Sequence, residues 1–243
     1  MAYPPTLTDL QNDVLSRLSE TDASRAGDFL PGDNSSTLIT TKDTITQYLN
    51  EAQEDLARSC YPVLDYGTVA TPTGTQSFAL SGLTVPSGNS LWVARGVSWN
   101  GQPLQRCSRS ALEVWYPTWV TDVAGTPAYW YDQGEDGIGL YPRPSSTQTT
   151  LVNGLAVPAR LVNGTDTPSW LQADRTPLLV WYACWAVAAK NIQNDALSAR
   201  GPVWRQEYEA GKAQLLTRLW ARDAQLAAAH FGAPPAAGGG AGG

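Results

Sequence analysis

Apolar residues recur along the chain with two rhythms, and these divide it into three parts. Over residues 6–20, Leu7, Leu10, Val14 and Leu18 follow the i, i+3, i+7, i+11 spacing of one helix face. Thr6 can cap that helix, with Asp9 three residues on in a variant of the capping box. A second helix is predicted over about 41–60, with Ile45, Tyr48, Leu49, Ala52 and Leu56 as its apolar face. Thr40 or Thr41 can cap it, Asp43 suits the positive end of its dipole, and Pro62 prevents much continuation. The polar connection 21–40 exceeds the usual loop length and reads as a binding loop or a partly mobile segment.

From 63 to 168 the period shortens to two, and Gly, Pro and Thr become frequent. GTQSFALSG, LWVARGVSW, QPLQRCS, PAYWYDQ, GIGLYPR and TTLVNGLAV read as strands. Asn100-Gly101 between two of them is a strong hairpin signal, because both residues tolerate positive φ. RSALEVWY (109–116) interrupts the strands as a short helix with Ser110 near its start and Pro117 at its end. The helical period then returns. Thr176-Pro177 is predicted as a cap and first-turn pair, with Leu178, Trp181, Tyr182, Trp185, Ala189 and Ile192 along one broad face. LLVWYACWAVAA is apolar nearly all round, the mark of a buried helix. Gly201-Pro202 restarts a last helix carrying Trp204, Tyr208, Leu215 and Leu219. The expected fold is α+β: a helical bundle from the N- and C-terminal helices (1–62 and 169–228), a central antiparallel β region (63–168) and an extended tail (229–243).

Composition narrows the chemistry. Of 243 residues one is histidine, His230, inside the low-complexity AAAHFGAPP, which is a poor place for a Ser-His-Asp arrangement or a histidine metal site. Cys60, Cys107 and Cys184 are odd in number and far apart, and so read as buried free thiols. No catalytic residue, cofactor site or metal site is expected. The formal net charge is −6, which disfavours a protein held on nucleic acid by phosphate contacts. Charge is also uneven. Residues 1–90 hold 11 acids and 4 bases, and residues 170–230 hold 5 acids and 7 bases, an asymmetry that could align copies head to tail. The sequence has no apolar run of membrane-spanning length and no signal peptide at its start, so residence in a cytoplasm is expected, at least at first.

LEVWYPTW (112–119) concentrates large aromatics, and three readings are open. Trp115, Trp119, Trp130 and Tyr141 can be core and rim residues of the β region. They can form a platform for a sugar, which makes a non-catalytic carbohydrate-binding or tail-associated β module the alternative function. A glycan hydrolase using Glu113 and Asp122 would need that pair to be separated by roughly 5–10 Å in a cleft.

The third reading is a family signature. LTDLQNDVLSRL, TITQYLNEAQEDLA, Pro117-Thr118-Trp119, Thr126-Pro127-Ala128-Tyr129, Tyr141-Pro142-Arg143-Pro144 and the helices LLVWYACWAVAAKN and WRQEYEAGKAQLLTRL occur in this order. The ordered set, over about residues 7–225, resembles the head-to-tail adaptor (connector) proteins of tailed bacteriophages, particularly short-tailed ones. The resemblance implies a structural virion protein in the neck between capsid and tail, assembled in the host cytoplasm, with no enzymatic activity. It implies a homo-oligomeric ring, commonly a dodecamer, between portal protein and tail nozzle protein. Double-stranded DNA would pass through the lumen without specific binding, and no membrane is involved. Portal contact is then expected from the tail, at Phe231, Pro234, Pro235, Gly238 and Gly243, and tail-side contact from Trp99, Asn100 and Gly101. The 21–40 connection and the alanine-glycine tail match no family motif.

Overall fold

A computed structural model describes residues 4–19, 42–60, 63–191 and 194–231. The 21–40 connection, Thr40, Thr41, Pro62, Ile192 and every residue after 231 lie outside that range. Among the described residues the fold is α+β, with five helices and two four-stranded sheets. They form two compact units. One holds α1, most of α2, α4 and α5; the other holds Gln53–Arg58 of α2, α3 and all the strands.

In the helical unit, α1 (Leu7–Ser19) begins where the capping box places it. The Asp9 N–H donates to Thr6 Oγ1 at 3.2 Å and the Thr6 N–H donates to Asp9 Oδ2 at 2.9 Å. The Thr6 hydroxyl also donates to Asp9 Oδ2 at 2.7 Å, and this bond first, then the one from the Thr6 N–H, holds the Asp9 carboxyl below its usual value. Leu7, Leu10, Val14 and Leu18 are buried, as are Ile45, Tyr48, Leu49 and Ala52 of α2 (Lys42–Ser59). Gln11 Nε2 ties the two helices by donating to Thr46 Oγ1 at 2.8 Å.

The helices α4 (Pro177–Lys190) and α5 (Asp195–Phe231) run antiparallel. A Cβ on Gly211 would come within 2.1 Å of Leu178 Cδ2, and one on Gly201 within 3.2 Å of Ala188 Cβ. Among the residues of α5 whose burial is described, Leu197, Gly201, Trp204, Tyr208, Gly211 and Leu215 are the buried ones. Their alternating steps of four and three are those of a coiled-coil seam. Three expectations change here. Thr176 is helical (φ −59°, ψ −27°) and donates its hydroxyl to the Ala173 carbonyl at 2.8 Å, so it extends the preceding turn and does not cap α4. The buried face of α4 is Leu178, Leu179, Val180, Ala183, Cys184, Val187 and Ala188, while Trp181, Tyr182 and Trp185 are half-buried. Small side chains fit between packed helices and the large rings are displaced to the margin. Burial pushes the Cys184 thiol up to about 12. The last helix starts at Asp195, ahead of Gly201-Pro202, because Asn194 Oδ1 accepts from the Leu197 N–H at 3.3 Å.

In the β unit, β1 (Val63–Thr71), β8 (Gln148–Val157), β3 (Ser90–Trp99) and β4 (Gln102–Pro103) form one sheet in the order β1-β8-β3-β4. β2 (Ser77–Ala79), β7 (Gly137–Tyr141), β6 (Tyr129–Gln133) and β5 (Gln105–Arg106) form the other, in the order β2-β7-β6-β5. All pairings are antiparallel except β5 with β6, which is parallel. The run QPLQRCS is thus two strands in two sheets, GTQSFALSG keeps only Ser77–Ala79 as strand, and β1 is an additional edge strand. That edge is covered in part. Thr68 exchanges backbone hydrogen bonds with Thr84, and Asp65 accepts from Ser87, the Tyr66 N–H and Asn89. Asn100 (φ 49°) and Gly101 (φ 76°) make the β3–β4 turn where expected.

Period two sorts the aromatics of β6 and β7. Trp130, Ile138 and Leu140 join Leu91, Val97, Trp99, Leu104 and Val152 in the core shared by both sheets. Tyr131 and Tyr141, one residue out of phase, join Leu112 and Trp119 in a second cluster under α3 (Arg109–Trp115). Ser108, two residues earlier than expected, caps α3 by accepting from the Ala111 N–H at 3.1 Å.

Candidate interaction surfaces

The aromatic stretch splits between support and surface. Tyr131 lies across its register partner Gly139, where a Cβ would come within 2.0 Å of the ring. Trp119 meets Tyr131 edge-on, with centroids 5.4 Å apart at 85°. The Tyr141 hydroxyl donates to Asp122 Oδ2 at 2.6 Å, Thr118 Oγ1 donates to Asp122 Oδ1 at 2.7 Å, and Arg143 donates to the Asp122 carbonyl at 2.6 Å. Burial first, then the bond to Asp122, pushes the Tyr141 phenol up to about 12. The same Tyr141 bond, with the one from Thr118, lowers the Asp122 carboxyl. A glycosidase acid must hold its proton, so the shift runs the wrong way for that role. Glu113 is turned to Arg109, with Nε–Oε1 3.3 Å.

On this support sits an exposed apolar ridge. Val114 is 77% exposed, Trp115 55%, Val120 52% and Val123 89%, with Tyr116 beside them. Of the four aromatics singled out by sequence, Trp119, Trp130 and Tyr141 are core and Trp115 is rim. A sugar platform needs several exposed rings beside polar groups; the ridge sets Trp115 and Tyr116 among valines. This is the composition of a protein-binding surface.

A second surface lies in the helical unit. A groove of about 200 Å³ opens between α4 and α5, lined by Trp185, Ala188, Ala189, Gly201, Pro202 and Arg205, with Ser198 at the same wall. The Arg205 guanidinium lies 5.2 Å from the centre of the Trp185 ring. Pro202 has no N–H to give to the Ser198 carbonyl, its i−4 position in α5.

Trp99 is a core side chain, with its indole nitrogen buried and unpartnered, because inward alternation along β3 turns it between the sheets. Asn100 and Gly101 at the turn are exposed. Phe231 is the last residue of α5, and Pro234, Pro235, Gly238 and Gly243 lie outside the described residues. The groove carries no sequence motif, and LEVWYPTW marks the ridge only as an aromatic concentration. Valine and tryptophan at 114–123 look the same in sequence whether they are core or surface. Among the described residues no three of His, Cys, Asp and Glu are placed to hold a metal ion, and no helix is long and apolar enough to cross a membrane.

The chemistry gathered on these surfaces is that of protein–protein contact, carried on an α+β scaffold. Residues 5–232 match the SU10 adaptor protein family, and the chain belongs to that family. It is a structural head-to-tail adaptor of tailed phages. No curated protein matches it.

Proposed function

We propose that the chain assembles as a ring in the virion neck, between the portal protein and the tail nozzle protein, and that double-stranded DNA passes through its lumen. The family match over nearly the whole chain carries this reading. Its role there is mechanical and needs no catalysis. Twelve copies, each at −6, would present an acidic ring, and acidic walls repel phosphates and limit sticking during ejection. Lysine in place of lumen carboxylates should then slow ejection, and unchanged ejection would count against an acidic lumen.

The portal side is assigned to the C-terminal segment. α5 leads to Phe231, and the Ala-, Gly- and Pro-rich residues beyond it, including Pro234, Pro235, Gly238 and Gly243, suit narrow clefts between subunits. The tail side is assigned to the β3–β4 turn, through Asn100 and Gly101, with Trp99 as its internal anchor. The test is to mix the purified chain with the portal ring of the same virus and image the product by electron microscopy. A ring stacked on the portal, with residues 229–243 newly protected from protease, is the expected result. No association at any salt concentration refutes the reading. Removing 229–243 should abolish docking while leaving the unfolding midpoint in place, and normal docking by that truncation would remove the tail's role.

A further inference from the structure

We infer that neighbouring copies of this chain join head to tail, the Trp115 ridge of one copy seating in the α4–α5 groove of the next. The inference rests on the ring reading above and names the two surfaces that make the ring's contact.

The ridge supplies the apolar half of the contact. Val114, Trp115, Val120 and Val123 are each more than half exposed and lie within ten residues of one another. The largest apolar patch of a monomer covers roughly 300–600 Å² and is often functional. One side of a stable interface covers roughly 800 Å², so the ridge supplies its apolar centre and needs a polar rim. Glu113 and Arg109 stand at that rim, with their side chains 54% and 62% exposed.

The groove matches the ridge in size, polarity and charge. Its volume of about 200 Å³ exceeds the 150 Å³ of an apolar cavity known to hold benzene, so an indole has room. Ala188, Ala189, Gly201 and Pro202 give it an apolar lining, and Trp185 gives it an aromatic side wall. The Ser198 carbonyl, left without its helical donor by Pro202, offers an acceptor to the Trp115 indole N–H. Arg205 at the groove edge offers a cation to Glu113, which lies two residues from Trp115. Both halves of the match are on one chain, which selects a second copy as the occupant over an unrelated partner. The two surfaces differ, so the contact is heterologous and propagates, closing into a ring when the rotation between copies permits.

Two variants separate the halves. Trp115→Ala removes the knob, and Ala189→Trp fills the groove from an exposed position of α4. Mass photometry of the full chain reads the assembly, with and without the portal ring. Each variant alone should lose every species above monomer while keeping the wild-type unfolding midpoint. Mixed in equal amounts they should give a dimer and nothing larger, since one intact knob and one intact groove remain. Glu113→Arg and Arg205→Glu should each weaken assembly at least tenfold, and the double variant should restore it. If the wild-type chain forms rings and both Trp115→Ala and Ala189→Trp also form them, this inference is overturned and the ring reading stands. A wild-type chain that stays monomeric with and without the portal overturns both.

Discussion

Gly154 sits in the central strand β8, opposite Asp65 on one side and Ala94 on the other. The β3–β8 ladder slips twice nearby, between Leu91 and Val93 and between Ala94 and Gly96, and these bulges turn the Val93 carbonyl towards Gly154. A Cβ on Gly154 would lie 2.1 Å from that oxygen and 3.3 Å from Leu91 Cδ2. Carbon–oxygen contacts settle near about 3.3–3.6 Å, so Gly154→Ala demands a backbone shift of more than about 1 Å in a doubly paired strand. Overpacking of this severity costs about 3 kcal/mol. The alanine returns about 0.7 kcal/mol by reducing the freedom of the unfolded chain, which leaves a net loss of about 2 kcal/mol. With a urea dependence of roughly 3 kcal/mol per molar, the unfolding midpoint should fall by about 0.7 M. Gly96 is the control on the neighbouring strand. A Cβ there meets nothing within 4 Å, so Gly96→Ala should leave the midpoint unchanged or raise it by about 0.2 M. Tryptophan fluorescence through a urea titration reads both variants. A Gly154→Ala midpoint at or above the wild-type value would refute the close approach on which the argument rests.

Three further outcomes follow from the same packing. Leu179→Ala, at a fully buried position of α4, should cost about 3 kcal/mol and show as a lowered thermal midpoint. Tyr141 keeps its proton to about 12 when folded, against about 10 for an unperturbed tyrosine. The unfolded chain therefore releases a proton that the folded chain retains. Stability present below pH 10 should fall as pH rises from about 10 to 12, and Tyr141→Phe should flatten that part of the pH profile of the unfolding midpoint. Thr6→Ala removes the acceptor for the Asp9 N–H and should cost about 1 kcal/mol, with faster amide exchange confined to the first turn of α1.

Elements whose local chemistry and burial agree were legible in the sequence. α1 has a capping box and a clean 3.6-residue period, and the Asn100-Gly101 turn needs only the φ tolerance of its two residues. The strand β1 was missed because its pattern is inverted. Leu64 and Tyr66 face solvent while Gly67 is buried, where a Cβ would stand 2.9 Å from Leu83 Cβ. The start of α5 was misplaced because Gly201-Pro202 is strong local punctuation. Tertiary packing overrides it, since Leu197 is buried and Gly201 lies against Ala188. Helical spacing puts Leu178, Trp181, Tyr182, Trp185 and Ala189 on one face of α4, yet a tightly packed helix buries Ala183, Cys184 and Ala188 more easily than Trp181 or Trp185. As for the candidate surfaces, exposure of Trp115 and burial of Trp99 depend on which sheet or helix covers each ring, and no local pattern carries that information.

The five residues Gln102–Arg106 pass from one sheet to the other without a loop. The Leu104 N–H donates to the Val97 carbonyl at 2.8 Å, and the next N–H, of Gln105, donates to the Ala128 carbonyl at 3.0 Å. A residue inserted at the Asn100-Gly101 turn would lengthen an exposed tip. A residue inserted three positions later would rotate Arg106 and Cys107 to opposite faces and break the parallel pairing with β6. Length variation among related chains should therefore collect at the hairpin tip and be absent from the crossing, a contrast visible in aligned sequences before any of their structures is known.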